Sequence, residues 1–438
     1  MSTKKARIRD PIHGTLRFDP DELAVIDHPA VQRLRGIKQL GLADLAFPGA
    51  THSRYAHALG TTHIATRMLE QLARDFELLP AERQRMNTTL RLAAMFHDIG
   101  HAPLSHTTER FMPPVNKLGL GEWQLGSDDR RACHEDFTLA IILKSDLSEL
   151  IRRRFADRGI DPEDLAVLLS GRAPPGLGDR FQIGGRNWLP LLRQCVSSEL
   201  DADRMDYLLR DSYYAGVPYG RFDLDWLIEN LRAVERGPDL HLGLHARGSF
   251  GFEDYLLSRY HMFLSVYLHH VPVGYELMLR AFHESEPELL RFPPDPEQYL
   301  ECDDVFLLMK LRGTQNPWAR RLMRRKGYKN LTELRTSEAS TPAVHHRLTA
   351  ALAEAGIHAI AHTVKGKLSK YFNPSASQPP VAVEPDLLVV GDGAPQPIEN
   401  FSPLYQRYAG ALHLHRVYVE PERHEDARPI LRRLELDE

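Results

Sequence analysis

The chain has 438 residues, of which 42% are apolar and 26% charged, with a formal net charge of -4. This composition is typical of a globular protein with a large core, and the small net charge excludes nucleic-acid binding over the whole surface. Its cysteines, Cys133, Cys195 and Cys302, form no CxxC pair, which excludes a zinc ribbon and fits a reducing compartment. Without an apolar leader or a long apolar run, the sequence predicts a cytoplasmic protein that has no membrane span.

Helices dominate the predicted elements from about residue 20 to residue 290. Residues 57–76 and 88–101 both carry apolar side chains at helical spacing. The second segment is expected to be almost fully buried and to end at Gly100 and Pro103, because both residue types interrupt helices. The sequence therefore predicts two helices early in the chain.

Less regular segments follow. Residues 112–132 are rich in glycine, proline and charge, which predicts an excursion between helices. The stretches "HEDFTLAIILKSDL" and "SSELDADRMDYLLRDSYYAG" return to helical spacing. Residues 253–282 fit either one long helix or two helices joined near Pro272.

Beyond about residue 300 the pattern changes. Residues 316–334 are basic, residues 372–386 form a proline-rich break, and "LLVVGDG" and "ALHLHRVYVEP" are typical of strands. The predicted fold class is therefore mainly α. A large helical part over residues 1–295 precedes a smaller C-terminal α+β appendage over residues 296–438, which is a candidate for oligomerisation or regulation.

The segment "FHDIGH" places His97 beside Asp98 and puts His101 four residues after His97. Imidazole and carboxylate groups with open positions suit octahedral divalent metals. Adjacent helical residues point about 100° apart, so His97 and Asp98 can reach one ion only beside the end of the helix. The alternative is an ordinary helix C-terminus with a favourable histidine and a solvated aspartate. A metal site also needs ligands from elsewhere in the chain.

Two more segments carry suitable groups on helical faces. Candidate ligands and cations lie in "HSRYAHALG" and "ELDADRMDYLLRD", namely His52, Arg54, His57, Asp201, Asp203, Asp206 and Asp211. Their spacing favours His57 over His52 only weakly and does not choose among the aspartates. It also allows an ion pair between Asp206 and Arg210, four residues apart on one helix face.

Six segments between residues 9 and 275 resemble the HD-domain metal-dependent phosphohydrolases. In order they are "RDPIHGTLRFDPDELAVIDHPAVQRLRGIKQLG", "FPGATHSRYAHALG", "FHDIGHAPLSH", "CHEDFT", "ELDADRMDYLLRDSYYAG" and "SRYHMFLSVYLHH". More narrowly they are similar to the deoxynucleoside triphosphate triphosphohydrolases (dGTPase-like enzymes and the animal enzymes that join a sterile-alpha-motif domain to an HD domain). The resemblance implies a helical HD-domain core and a divalent metal ion held by His57, His97, Asp98 and Asp203. Mn, Mg, Fe, Ni and Co all suit this ligand set.

Phosphoester hydrolysis also needs proton transfer, for which the chain offers His101, His106 and His134, because the unperturbed pKa of imidazole is near neutrality. The resemblance implies that His106 and His134 line the α-phosphate. Glu135 stands where a carboxylate could hold an imidazole in one tautomer. The alternative for His134 is a polar residue at a helix N-terminus. We interpret these four residues as the catalytic group.

The resemblance further implies a substrate-binding set, in which arginines contact phosphates and other side chains recognise the deoxyribose. The set is Gln39, Leu40, Arg54, Arg204, Tyr207, Asp211, Arg259, Tyr267 and His270. Gln39 and Asp211 resemble the pair that binds the 3′-hydroxyl, and Tyr207 and Tyr267 resemble the tyrosines that exclude a ribose hydroxyl. His270 stands where the animal enzymes have lysine, which leaves a γ-phosphate or a base contact open.

A second nucleotide site is implied by "VIDHPAVQRLRGIKQLG", where Asp27, Gln32 and Arg35 match the positions that bind guanine in the family's activator site. Lys329 matches a more distant phosphate contact. Such sites lie between subunits, so the resemblance implies a homo-oligomer, from dimer to hexamer with a tetramer favoured. The alternative is a helix start, with Asp27 as the N-cap and Pro29 at the second position. Activation by dGTP, GTP or another dNTP therefore stays open.

The leading hypothesis is a metal-dependent hydrolase that converts deoxynucleoside triphosphates (dNTPs) to deoxynucleosides and inorganic triphosphate. The first alternative is an HD phosphohydrolase of nucleoside monophosphates, guanosine alarmones or single-stranded nucleic-acid ends. The second is a nucleotide sensor without turnover. The basic residues of 316–334 allow an activator phosphate, single-stranded nucleic acid or a solvated surface. The complete set of sugar-binding and phosphate-binding residues favours dNTP hydrolysis.

Overall fold

The computed structural model describes residues 5–125, 129–336, 343–367, 387–408 and 411–434. Within these residues it confirms the predicted class, a mainly helical protein with a smaller C-terminal α+β part. The proline-rich stretch predicted at residues 372–386 lies outside the described residues. None of the described helices combines the length and apolar composition that crossing a bilayer requires.

Helices account for most of the described elements. Those up to residue 170 are α1 (Pro20–Ile26), α2 (Pro29–Gln32), α3 (Arg54–Leu72), α4 (Pro80–Phe96), α5 (His106–Glu109), α6 (Glu122–Leu125), α7 (His134–Lys144), α8 (Asp146–Phe155) and α9 (Pro162–Ser170). Those that follow up to residue 312 are α10 (Leu189–Val196), α11 (Ala202–Ala215), α12 (Leu224–Glu229), α13 (Ser249–Met262), α14 (His270–Ser285), α15 (Pro296–Tyr299) and α16 (Asp304–Arg312). The remaining ones are α17 (Pro317–Met323), α18 (Ala343–Glu354), α19 (Ile398–Phe401), α20 (Pro403–Tyr408) and α21 (His424–Arg433).

Among the described residues, the strands form three sheets. They are β1 (Ala6–Asp10), β2 (Gly14–Phe18), β3 (Gln182–Ile183), β4 (Arg186–Asn187), β5 (Leu231–Arg236), β6 (Asp239–His245), β7 (Lys329–Thr336), β8 (Ala359–Lys367), β9 (Leu388–Val390), β10 (Gln396–Pro397) and β11 (Ala411–Val419). β1 and β2 form an antiparallel hairpin, and β11 lies between β7 and β8 in an antiparallel sheet. The remaining sheet has six strands in the order β10-β9-β6-β4-β3, with β5 paired to β6. The two strands predicted near the C-terminus are thus confirmed as β9 and β11.

The main hydrophobic core continues past the boundary predicted at residue 295. It includes Tyr299 and Ala319. It also includes Leu387, which directly precedes β9, the strand that pairs with β6. A second, smaller core lies where α18 and α21 pack on the β7-β11-β8 sheet, around Leu348 and Val417. The α+β appendage is therefore present, but residue 295 does not coincide with a break in the main core, and the division at that residue stays a prediction.

The helices α3 and α11, which carry much of the candidate site, meet at Gly60. A Cβ atom at Gly60 would collide with the side chains of Asp206 and Arg210. These two residues form the ion pair that their spacing allowed, with Arg210 Nε 2.8 Å from Asp206 Oδ2 and Nη2 2.9 Å from Oδ1. A residue without a side chain at position 60 thus lets a buried carboxylate approach α3.

The helix predicted over residues 88–101 ends at Phe96, so the predicted end is wrong by several residues. The cause is the crossing of α7, because a Cβ atom at Gly100 would collide with the backbone of His134 and Thr138. The Thr138 hydroxyl donates to the carbonyl of His97 and accepts from the Gly100 amide, both at 3.1 Å. His97 and His101 therefore share a cavity through a tight turn rather than through helical spacing.

The segment 253–282 is two helices, α13 and α14, joined by a π-helical turn at Phe263–Tyr267. The joint precedes the predicted position, because His269 caps α14 and accepts from the Val271 amide at 3.2 Å. Pro272 lies in the first turn of α14, where its missing amide hydrogen costs nothing. This joint carries Tyr267 into the candidate site.

Candidate active site

Four side chains from three segments converge beyond the end of α4. His57 comes from α3, His97 and Asp98 follow α4, and Asp203 lies in the first turn of α11. Nε2 of His57 is 3.0 Å from Oδ1 of Asp203 and 3.6 Å from Oδ2 of Asp98. Nε2 of His97 is 3.6 Å from the same Asp203 oxygen and 3.3 Å from Oδ1 of Asp98. The structure thus brings together all four residues predicted as metal ligands.

The convergence fits a divalent cation. The buried Nε2 atoms of His57 and His97 make no hydrogen bond to any described residue, although carboxylate oxygens surround them. Burial lowers the pKa of His57, but the adjacent Asp203 and Asp206 carboxylates outweigh it and raise the pKa to about 10. The carboxylates around the two imidazoles give the cluster an excess of negative charge. Without a metal ion, that charge favours a second proton on His57; a bound divalent cation would neutralise it instead.

A buried chain of hydrogen bonds fixes the tautomer of His57. Its Nδ1 donates to Oδ2 of Asp206 at 2.7 Å, which leaves Nε2 for a metal. His13, at the turn of the β1–β2 hairpin, donates through Nε2 to the other Asp206 oxygen at 2.7 Å. Asp10 of the same hairpin accepts from Arg210 Nη1 at 2.8 Å. The hairpin is therefore linked to the metal-facing imidazole through one carboxylate.

Replacing His13 with alanine is expected to lower the affinity for Mn²⁺ by about 10- to 100-fold, the range found when a group behind a metal ligand is removed. The Asp206 carboxylate would lose one of its donors and hold His57 less firmly. The measurement is Mn²⁺ titration of the metal-free protein by calorimetry. His346→Ala, an exposed histidine of α18, is the matched control. Equal affinities of His13→Ala and wild type would refute the link.

Two other candidate ligands from the sequence, His52 and Asp201, are bound to different partners in the structure. Nε2 of His52 lies 2.8 Å from Oδ1 of Asp211, so His52 belongs to a different cluster. Asp201 caps α11 and accepts from the Arg204 amide at 2.7 Å. Both side chains are buried and already paired, which favours His57 and Asp203 as ligands.

The three arginines predicted to contact phosphate are buried beside the metal-binding residues. Arg54 forms an ion pair with Asp98 and donates through Nε to the Ser105 hydroxyl at 2.7 Å. Arg204 and Arg259 both approach Oε2 of Glu199, at 3.1 and 3.4 Å. Shared carboxylates hold the guanidinium groups in place without neutralising all of them, so a cationic surface remains for phosphate.

Three histidines form a second cluster next to the metal-binding residues. Nδ1 of His106 lies 2.9 Å from Oε2 of Glu109, and Nδ1 of His134 lies 2.7 Å from Oε1. Glu135 is exposed on α7, and the carboxylate that holds both imidazoles is Glu109. The tautomer-fixing role predicted for Glu135 is thus reassigned, because consecutive residues of a helix point about 100° apart.

This second cluster is not built for a metal. Nitrogens of His101, His106 and His134 lie within 4.8 Å of one another. However, the rings of His101 and His134 are stacked 3.9 Å apart and inclined by only 9°. A coordinated ion lies in the plane of each imidazole, and nearly parallel planes do not meet at a common ion. The geometry suits proton transfer instead.

The protonation of the cluster follows from its surroundings. Burial, with the charge of Arg54, keeps the pKa of His101 well below its usual range. Desolvation in the cavity and the neighbouring His134 lower the pKa of His106. Burial also opposes protonation of His134, but Glu109 outweighs it and raises the pKa. The cluster thus combines one imidazole whose protonated form is favoured with two whose neutral form is favoured, a pattern that separates an acid from its neighbours.

Two adjoining cavities surround these groups. The larger, of about 590 Å³, is lined by three of the four candidate metal ligands, His97, Asp98 and Asp203, and by the arginines and the three histidines. The smaller, of about 310 Å³, has more apolar walls and contains Leu40, Asp211 and Tyr267. Gln39 and Tyr207 line both cavities. The hydroxyl of Tyr267 donates to Oδ2 of Asp211 at 2.9 Å, so the predicted sugar-binding residues do lie together.

Comparison with known proteins agrees with this geometry. A family model described as the HD domain matches residues 54–165, and one described as the HD associated region matches residues 222–404. This chain belongs to the HD-domain phosphohydrolase family. Three of the four metal-facing residues fall within the HD match, whereas Asp203 lies between the two matched regions.

Relatives of this HD-domain phosphohydrolase come from organisms as different as Methanocaldococcus jannaschii and Dictyostelium discoideum. The uncharacterized protein MJ1154 of Methanocaldococcus jannaschii is 31% identical over 74% of this chain and 59% of its own length. The deoxynucleoside triphosphate triphosphohydrolase SAMHD1 homolog of Dictyostelium discoideum is 28% identical over 71% of this chain and 55% of its own length. This chain thus spans little more than half of these curated relatives. A crystal structure of a hypothetical protein from Aquifex aeolicus has 28% identity and a TM-score of 0.73, covering 98% of this chain and 100% of that one.

The residues predicted for an activator site lie in two separate places on the HD-domain chain. Gln32 accepts from Arg35 Nε at 2.7 Å, next to the exposed Asp27. Asp27 ends α1, and His28 rather than Asp27 caps α2, so the alternative helix-start interpretation is wrong in detail. Lys329 instead lines a basic cleft of about 650 Å³, together with His270.

One residue predicted to bind substrate lies at that second cleft. His270 lies at the start of α14 and lines the cleft beside Lys329, whereas the residues lining the two active-site cavities do not include it. Tyr267, three residues earlier, does line the smaller cavity. The π-helical turn before α14 separates the two side chains, which the sequence pattern alone did not reveal.

Several residues of the site were not identified from the sequence. Glu109 follows His106 by three residues, and this spacing on α5 was the available signal. His13 acts through Asp206, 193 residues along the chain, and Glu199 joins Arg204 to Arg259, 60 residues along the chain. They support residues that the motifs did identify, so the motifs locate the ligands better than the groups that orient them.

Proposed function

We propose that this HD-domain phosphohydrolase converts dNTPs to deoxynucleosides and inorganic triphosphate. The observation that carries the proposal is the pair of adjoining cavities. The larger one combines a metal-binding cluster with three arginines, which suits a triphosphate. The smaller one offers an amide, a carboxylate and two tyrosines, which suits a deoxyribose and a base. Similarity to dNTP triphosphohydrolases supports the same substrate class.

In this reaction a water oxygen bonds to the α-phosphorus and the bond from phosphorus to O5′ breaks. A divalent metal, when bound by His57, His97, Asp98 and Asp203, supplies Lewis-acid polarisation and lowers the pKa of water. Arg54, Arg204 and Arg259 hold the phosphate chain and stabilise its negative charge. The leaving O5′ needs a proton, because an alkoxide is a poor leaving group.

His134 is the proposed donor of that proton. Glu109 favours its protonated form, and its Nδ1 is already engaged, which leaves Nε2 toward the cavity. His106 shares the carboxylate and its neutral form is favoured, so it can accept the proton that the attacking water releases and thereby help to restore protonated His134. Glu109 thus positions two imidazoles at once, whereas Glu135 lines the same cavity without holding either of them.

The test incubates metal-free and Mn-loaded protein with each dNTP, alone and with dGTP or GTP, and resolves the products by ion exchange. Triphosphate with deoxynucleoside, formed only with metal, is the expected result. Monophosphate or diphosphate would instead favour another HD phosphohydrolase activity. Absence of product in every mixture would favour a nucleotide sensor and overturn the proposal.

Gln39→Ala is expected to lower kcat/KM for dNTPs by about 10- to 100-fold, because its buried amide oxygen has no hydrogen-bond partner among the described residues and awaits a donor from the ligand. Hydrolysis of bis(p-nitrophenyl) phosphate, which has no sugar, should change little. Steady-state kinetics on both substrates measure the difference. Equal losses on the two substrates would contradict a sugar contact.

Nucleotide activation and oligomerisation are further parts of the proposal. Asp27, Gln32 and Arg35 form one surface and Lys329 another, so a shared activator would have to bridge two subunits. Sedimentation of the protein with and without dGTP tests this arrangement. A shift to a dimer, tetramer or hexamer with the nucleotide supports it, and an unchanged monomer contradicts it.

A further inference from the structure

The smaller cavity contains one carboxylate that the proposed reaction does not use. It belongs to Glu276, two turns into α14. Oε1 accepts a hydrogen bond from the Thr107 hydroxyl at 3.1 Å. Its other oxygen accepts no hydrogen bond from the described residues. A carboxylate held by one donor at the wall of a cavity has capacity for further donors.

The surroundings of Glu276 suit a flat heteroaromatic ring. Apolar side chains of Ala43, Val266 and Pro272 line the same cavity. Gly41 leaves room beside Thr107, because a Cβ atom there would lie 2.8 Å from the Leu104 carbonyl oxygen. A cavity of about 310 Å³ is at the small end of ligand sites, so its occupant is expected to touch the polar group at the wall.

The order of groups across the two cavities gives the orientation of a nucleotide. Arg54 and His106 line both cavities, next to the phosphate-binding side. Asp211 and Tyr267, both predicted to contact the sugar, line the smaller cavity. Glu276 lines the same cavity but contacts neither of them in any described hydrogen bond. With phosphate and sugar so placed, the base is the part of the ligand left for Glu276.

We propose that Glu276 binds the N1–H and N2–H donors of guanine and makes dGTP the preferred substrate. This inference rests on the proposed function. A carboxylate presents two acceptors side by side, and guanine is the base whose edge presents two adjacent donors to match them. Thr107 holds the carboxylate in the required orientation.

The other bases do not match a carboxylate. Adenine and cytosine each place a ring nitrogen acceptor beside their amino group, and thymine places carbonyl oxygens on both sides of its N–H. Each of these acceptors would face a carboxylate oxygen of Glu276 without a proton between them. A wrong base would therefore lose a hydrogen bond and also meet repulsion between two acceptors. Both effects weaken its binding, and together they let a polar site discriminate between similar molecules.

The test compares dGTP with deoxyinosine triphosphate, which lacks only the 2-amino group. Wild type is expected to favour dGTP in kcat/KM by about 10- to 100-fold, the range for hydrogen bonds to a charged group. Glu276→Gln should reduce that ratio by about 10-fold, because an amide offers one acceptor and opposes the second donor. Glu284→Gln, an exposed glutamate of the same helix, is the control and should keep the wild-type ratio.

Binding of deoxyguanosine and deoxyinosine, measured by calorimetry, provides a readout that needs no turnover. If no dNTP is hydrolysed, the proposed function fails, and this binding ratio still tests Glu276. An unchanged ratio in Glu276→Gln, with hydrolysis intact, would overturn the guanine proposal alone. If Glu276→Gln unfolds at a lower temperature than wild type, Glu276→Asp is the second variant, because it keeps the charge and shortens the side chain. Its preference for dGTP over deoxyinosine triphosphate is expected to fall in the same way. Retention of the ratio there overturns the proposal.

Discussion

Replacing Asp203 with alanine is expected to abolish dNTP hydrolysis, with a loss on the order of 10³-fold or more. Its Oδ1 is the one oxygen close to both metal-facing imidazoles, 3.0 Å from His57 and 3.6 Å from His97. Without it the site loses a charged ligand between two neutral ones. Inductively coupled plasma analysis of the dialysed protein should show less bound metal, in parallel with the loss of triphosphate product.

The fold should survive this substitution. The side chain of Asp203 is 33% exposed and lies outside the apolar core, so its removal creates no cavity. Circular dichroism melting of the metal-free protein should therefore resemble wild type. Asp225→Ala, at an aspartate whose side chain is 79% exposed, is the matched control and should retain both metal and activity. Full activity of Asp203→Ala would remove the metal assignment.

Replacing Glu109 with glutamine is expected to lower kcat by about 10²- to 10⁴-fold, the range for loss of general acid catalysis. The side chain keeps its shape but loses the charge that favours protonated His134. Bound metal should stay at the wild-type level, because Glu109 contacts none of the metal-facing residues in any described hydrogen bond. Glu149→Gln, an exposed glutamate of α8, is the matched control.

The pH profile distinguishes this role from a structural one. The pKa of His134 is raised above 6.5 in the folded protein, so the imidazole is protonated below that raised pKa and loses its proton as the pH rises through it. Activity that needs the proton should therefore fall on the alkaline side. In Glu109→Gln the pKa of His134 drops, and the alkaline limb of kcat should move to lower pH. A limb that stays in place would exclude His134 as the donor.

Much of the fold class and the metal centre could be predicted from the sequence, for local reasons. His97 and Asp98 are adjacent, so any structure that ends a helix near them puts both in one place. The choice of His57 over His52 needed the family resemblance, since His52 lies just before α3 and His57 lies in its first turn. The structure provides the physical basis, because His52 is bound by Asp211 and leaves His57 alone to face Asp203.

Other features depend on contacts that sequence spacing does not contain. Gly100 was expected to end a helix, and the end instead comes earlier because α7 crosses there. Glu135 was expected to hold an imidazole in one tautomer, yet consecutive residues of a helix point in different directions. Glu109 performs that task from α5, 25 residues away. Local patterns thus identify the candidate reacting residues, whereas tertiary packing decides which residues orient them.

The meeting of α3 and α11 at Gly60 restricts how this chain can diverge. Any side chain at position 60 would displace the Asp206 carboxylate, and with it the anchor of His57. A mutation to alanine alone would disturb the metal centre, and a shorter residue at position 206 alone would remove one of the two carboxylates that pair with buried Arg210. We therefore expect these two positions to change together in distant descendants, and a descendant with a side chain at position 60 to anchor its histidine in another way.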